Sequence, residues 1–155
     1  MINTWATRWN ISPQALNELR LLLGAASQPA SGGNGQSEAV VQNAVRIEHA
    51  RLRHGRLWRN NSGVATGENG VPVRYGLCND TPKINKVVKS SDLIGITPTA
   101  CPCGRWYGVF TAYEAKRPGW SFRQSDERAV AQLAFGTLVT ALGGIFKFVQ
   151  SPEDI

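Results

Sequence analysis

The sequence predicts an α/β fold, a small mixed sheet flanked by helices, and three observations predict it. A helical pattern, several short extended runs, a second helical pattern and a final extended run follow one another along the chain. The second helical pattern sits between the central and last extended runs as a crossover, which makes those strands parallel and the connection right-handed. The chain has 155 residues, of which 42% are hydrophobic and 18% charged, enough for one domain to bury its own core.

Residues 1–36 read as an N-terminal helix and a flexible linker outside the main domain of residues 37–155. Trp5 and Trp9 have i, i+4 spacing, and Ser12-Pro13 is an N-cap followed by proline at the first helical position. Leu16, Leu19, Leu22 and Leu23 form a stripe that must be buried against the protein's own core or against a second subunit, the latter making the segment a dimerisation arm. The Gly/Ser-rich residues 25–36 have linker composition.

The main domain opens with a helix from Ser37-Glu38 to about Leu52, with Val40, Val41, Ala44, Val45 and Ile47 as its inner face. Glu38 is either a first-turn acid matched to the helix dipole or an inward-pointing acid at the head of that face. His49 and His54 read as surface residues among arginines. Residues 57–61 give a first strand, residues 62–70 a polar loop, and residues 71–75 a second extended run. Residues 76–90 read as a long connection carrying Lys83, Lys86 and Lys89.

A short apolar run follows Asp92, then a turn over residues 97–104, then the long central strand of residues 106–116. Pro118-Gly119 breaks the chain. Ser125-Asp126-Glu127 starts a helix whose inner stripe reads Val130, Leu133, Ala134, Leu138 and Ala141, flanked by Gln132. Gly143-Gly144 stops it, and residues 145–149 close the sheet.

The net charge of +6 suits a polyanionic partner, nucleic acid first. Its distribution adds to this: five arginines and one acid lie between Arg46 and Arg59. No apolar run reaches the ~20 residues of a membrane span, and the N-terminus lacks signal-peptide order, which predicts an intracellular, cytoplasmic protein. Cys101-Pro102-Cys103-Gly104 has no second Cys/His pair beside it, so the expectation is a tight turn with two free thiols and no structural zinc.

Along the central strand, Glu114 and Lys116 point the same way and Ala115 the other. Asp92 opens its own strand where an edge meets solvent. Two carboxylates brought together make a hard-oxygen site for Mg²⁺ (or Mn²⁺), with the Ala115 backbone carbonyl as a third ligand and the Lys116 ammonium beside the phosphate. This predicts metal-dependent hydrolysis of a phosphodiester. The bland alternative is a surface ion pair between Glu114 and Lys116.

At these residues the chain resembles the PD-(D/E)xK nuclease superfamily, and within it the VRR-Nuc family of phage and bacterial replication-repair nucleases. Glu38 with Gln42 looks like the acidic opening helix, and residues 59–63 like the Arg/Asn-rich segment. Residues 90–95 look like the Asp motif, Glu114-Ala115-Lys116 like the E-x-K core, and Gln132 like the glutamine of the following helix. The match spans residues 37 to 154. Lys89 departs from it, standing where a glycine is often found.

The resemblance implies a restriction-endonuclease-like αβ(β)βαβ core. It implies Asp92, Glu114 and the Ala115 carbonyl as metal ligands, Lys116 as the catalytic lysine, Glu38 acting through a water, and Gln132 orienting Lys116 or the water. Arg59, Asn61, Lys89, Ser91 and Arg117 complete the reading as DNA contacts. Stand-alone members look like Holliday-junction resolvases, which implies a homodimer acting on branched DNA in recombination or repair. The competing expectations are a sequence-specific or nicking endonuclease on duplex DNA, and a non-catalytic nucleic-acid-binding protein.

Overall fold

The structure, a computed structural model, describes residues 6–12, 15 and 37–155. The chain divides into two compact units, Met1–Ser31 and Gly32–Ile155. In the first, residues 6–8 are helical and the Ser12 hydroxyl accepts from the Ala15 N–H at 3.1 Å, a capping bond. The expected leucine stripe and the linker lie outside the described residues.

The second unit is mixed α/β: a mixed sheet of four strands flanked by helices. Its elements are α1 (Glu38–Arg51), β1 (Arg56–Arg59), β2 (Gly63–Thr66), β3 (Pro72–Tyr75), α2 (Pro82–Val87), β4 (Leu93–Ala100), β5 (Trp106–Ala115), α3 (Glu127–Ala141) and β6 (Ile145–Val149). A 3₁₀ turn over Pro152–Asp154 ends the chain. The sheet order is β1-β4-β5-β6, antiparallel except for the β5–β6 pair, which is parallel as the crossover helix requires.

Strand alternation splits the core between the two faces. Leu57, Leu93, Tyr113, Ala115 and Val149 face one way and pack with Val41 and Val45 of α1. Ala112, with Ile94 and Phe146, faces the other way and packs with Phe135 and Val139 of α3. Glu114 and Lys116 share the alternation of Ala112, so they lie on the α3 side.

Both helices turn differently from expectation. The buried residues of α3 are Ala129, Ala131, Gln132, Phe135, Gly136 and Val139, whereas Leu133 and Leu138 are exposed. The reason is close approach: a Cβ on Gly136 would overlap the Phe146 ring, so the helix rests on β6 at its glycine. That rotation carries Gln132 from the flank to the middle of the buried face. The helix is capped by Asp126, not Ser125, through a 3.0 Å bond from the Ala129 N–H. In α1 the inner face is Val41, Val45 and His49, while Ile47 is 67% exposed.

His49 is therefore not a surface residue. Its ring meets Tyr113 edge-on at 5.8 Å and His54 at 5.7 Å, and Thr97 Oγ1 lies 3.4 Å from Nε2. Burial first, and then the neighbouring His54 charge, push its pKa down to about 4.

Four other expectations are corrected. Residues 63–66 of the polar loop form β2, paired with β3. Buried Asn79 holds this hairpin, its Nδ2 donating to Gly63 O at 2.6 Å and Tyr75 O at 2.8 Å. The long connection contains α2, started by a Thr81 cap and Pro82 at the first turn. Residues 97–100, expected in a turn, continue β4; β1 pairs only as far as Ile96, so Pro98 sits where β4 has become an edge and its missing N–H breaks no ladder. Finally, Cys101 and Cys103 form a disulfide instead of free thiols. The turn closes through Cys101 N–H to Arg105 O (2.8 Å) and Gly104 N–H to Cys101 O (2.9 Å), bringing the two Cα atoms to 5.2 Å. Cys78 is a free thiol.

Two predictions follow from this packing. Alanine normally favours a helix over glycine by about 1 kcal/mol, but overpacking costs about 1–3 kcal/mol. Gly136→Ala should therefore lower the melting temperature by several degrees in a circular dichroism melt; an unchanged or raised value would contradict the close approach. For His49, the unfolded ring takes up a proton near its ordinary pKa of about 6.5, whereas the folded ring resists protonation until about pH 4. The unfolded state binds more protons in that window, so stability falls as pH drops from about 6.5 through 4. Denaturant midpoints should show this slope, and His49→Gln should flatten it.

Candidate active site

The site forms where β4 begins and β5 ends. The register sets Leu93 opposite Tyr113, so the residue before the one and the residue after the other meet across the sheet. The Asp92 N–H donates to Glu114 Oε2 at 3.1 Å. Lys116 Nζ donates to Glu114 Oε1 at 3.1 Å and to Gln132 Oε1 at 2.8 Å, and Gln132 Nε2 donates to Glu114 Oε1. Three side chains from a strand and a helix thus close a ring of hydrogen bonds.

The ring is inside the protein. Glu114 is 1% exposed, Gln132 1% and Lys116 5%. This removes the reading of Glu114 and Lys116 as a surface ion pair. Asp92 is half-buried, so the acid pair opens to solvent on the Asp92 side. Burial, then the Asp92 charge, push the Glu114 pKa up to about 7 against the pull of Lys116. Burial also raises Asp92, with Arg128 opposing and Glu38 adding to the rise.

Asn60 fixes the Asp92 segment from the end of β1. Its N–H donates to Asp92 O at 2.7 Å, and its side chain donates to Ser90 Oγ at 2.9 Å and Ser91 O at 2.8 Å. The Lys116 N–H bonds Val149 O on β6 at 2.8 Å, so by alternation the Ala115 peptide groups face the β4 side. The Ala115 N–H indeed reaches the Asp92 carboxylate.

The chain matches no protein-family model, no curated protein and no solved structure.

Among the residues expected at the site, Asp92, Glu114, Lys116 and Gln132 are gathered together. Glu38 is half-buried in the first turn of α1 and close enough to act electrostatically on Asp92. Arg59, Asn61 and Arg117 are exposed. Lys89 is half-buried; its N–H holds Ala131 O at 3.0 Å, and its pKa is lowered by burial and by Arg128. Ser91 is corrected: it is 1% exposed, and its hydroxyl finds no partner among the described residues. It faces inward by alternation beside Asp92, so it cannot be a direct DNA contact.

Sequence reasoning missed Asn60, Arg128 and Trp120. Asn60 stood in the Asn-Asn pair after β1 but was passed over for its neighbour. Arg128 lies in the first turn of α3 and reaches Asp92 and Lys89 electrostatically. Trp120 places its ring centroid 5.3 Å from Lys116 Nζ, and Phe148 lies 5.7 Å from the same atom. Only the Pro118-Gly119 turn signal hinted that Trp120 folds back over the lysine.

No helix among the described residues is long and apolar enough to cross a membrane. No group of three or more His, Cys, Asp and Glu gathers among them as a metal cage. Mg²⁺ needs no such cage, since it takes only one or two carboxylates from the protein. The Asp92 and Glu114 carboxylates and the Ala115 carbonyl are hard oxygen donors, and each acid is pushed toward its neutral form by burial. They fit a hard divalent cation, which would favour both charged forms.

Proposed function

We propose that this chain is a Mg²⁺- or Mn²⁺-dependent DNA endonuclease of the PD-(D/E)xK type, similar to the VRR-Nuc family, with a restriction-endonuclease-like core and a preference for branched DNA. One observation carries the reading: a carboxylate, an ammonium and an amide, all at least 95% buried, are tied into one ring beside a second, open carboxylate. Buried ionic groups of this kind seldom improve stability over apolar residues of the same size. A strongly perturbed acid with a specific charge partner is a functional-site signature.

Asp92 and Glu114, with the Ala115 carbonyl, would hold the cation. When bound, it supplies charge neutralisation at the scissile phosphate and a water of lowered pKa. The Lys116 ammonium is kept in one orientation beside the acid by Glu114 and Gln132, where it would meet the phosphate once substrate binds. Gln132 fixes both partners at once, since its amide donates to the acid and accepts from the lysine. Lys89, Arg128 and exposed Arg59 and Arg117 add the cationic surface that a phosphate backbone requires, and exposed Asn61 adds a neutral hydrogen-bonding amide. Asn60 holds the Asp92 backbone in register.

The test uses purified protein with Mg²⁺ on a panel of four-way junction, flap and linear duplex DNAs. Cleavage should depend on the cation. Lys116→Ala should lower its rate by about 10²–10⁴-fold, and Glu114→Ala should abolish it, with binding retained and folding checked by circular dichroism. Full activity in either variant would overturn the assignment. A preference for linear duplex would overturn the branched-DNA part alone.

A further inference from the structure

The segment joining β5 to α3 builds a second feature directly beside Lys116. Residues 117–120 form a tight turn with Pro118 and Gly119 at its centre. Gly119 has φ +82°, and the Trp120 N–H returns to Arg117 O at 3.1 Å. The turn folds Trp120 back so that its ring centroid stands 5.3 Å from Lys116 Nζ. Trp120 also packs on Phe148, with ring centroids 5.0 Å apart, and Phe122 stands at 6.4 Å from both rings.

Beyond Trp120 is an open recess of about 410 Å³ lined by Gly119, Trp120, Ser121, Arg123, Ser125 and Asp126. Its volume is in the range of small-molecule sites. Arg123 lines it, and exposed Arg117 stands at the start of the same turn. Phe122 is 39% exposed although the sheet core lies close by. An aromatic cluster left partly open between arginines is the arrangement that holds unstacked bases: a flat π face for the base and cations for its phosphates.

We infer that Trp120 and the recess beside it bind an unstacked nucleobase of single-stranded DNA next to the bond that is cut. The position of the cut rests on the nuclease reading above; the stacking site itself does not. The substrate class is thereby narrowed to DNA with unpaired nucleotides at the cleavage point, as at a branch or flap, and intact duplex is disfavoured because its bases are not free to enter. Ser121, Ser125 and Asp126 offer polar atoms to a base edge, while Arg123 meets the backbone.

The experiment measures binding by fluorescence anisotropy, with the full chain, in EDTA and at fixed salt. The probes are a labelled 15-nucleotide single strand and a blunt-ended linear duplex of two fully paired strands. The single strand should bind more tightly. Trp120→Ala should weaken single-strand binding by about 5- to 150-fold and leave duplex binding within about twofold, and Trp120→Phe should restore most of the loss. Equal loss on both probes, no loss on the single strand, or a Trp120→Phe variant as weak as Trp120→Ala would overturn the inference. Should Trp120→Ala fail to fold, Trp120→Leu, which keeps bulk without a π face, is read in its place by the same criteria. Because no divalent cation is present, the outcome is separate from cleavage. A chain that grips single strands through Trp120 yet cuts nothing keeps this inference and loses the nuclease reading.

Discussion

The burial of one carboxylate organises the rest of the structure. Glu114 sits at the end of the longest strand, almost wholly out of water, where an unpaired charge would cost several kcal/mol. Its two oxygens are occupied by three donors: the Asp92 backbone, the Lys116 ammonium and the Gln132 amide. Each donor comes from a different place in the chain, so satisfying Glu114 sets the register of β4 on β5 and the rotation of α3. Removing a single partner would leave the remainder buried and incompletely paired, which is the costly case.

The fold and the acid cluster also explain one another. Parallel pairing of β5 and β6 requires a crossover, and α3 is that crossover. Gly136 lets α3 lie close on Phe146, and one turn earlier on the same helix Gln132 arrives at Glu114. On the other sheet face α1 seals the core with Val41 and Val45 and sets Glu38 toward Asp92. Half-buried Asp92 is the more exposed of the two acids; Arg128 acts on it and on Lys89 electrostatically, and the turn carrying Arg117 and Trp120 lies next to Lys116.

Much of this was legible in the sequence. The period-2 pattern of β5 put Glu114 and Lys116 on one face, whereas the pairing of β4 with β5 that sets Asp92 opposite Glu114 is a register that only the fold supplies. The order of elements indicated the parallel closing strand. The inner face of α3 was not legible, because leucines at positions 133 and 138 outweigh a glycine in any hydrophobic pattern, while close approach to Phe146 selects the glycine. His49 was misread for a similar reason: a neutral imidazole packs well against Tyr113, yet its residue type suggests a surface. Pro98 concealed the extension of β4, since where β1 stops pairing is a tertiary fact. The Cys101–Cys103 bond depends on how tightly the hairpin tip closes, which spacing alone does not specify.

The central claim is that Asp92 and Glu114 form one hard-cation site, and calorimetric titration of Mn²⁺ into the full chain tests it most directly. The account predicts saturable binding in wild-type protein that Asp92→Asn abolishes while the variant keeps its circular dichroism spectrum. No binding at millimolar Mn²⁺, or binding that persists unchanged in the folded Asp92→Asn variant, would contradict it.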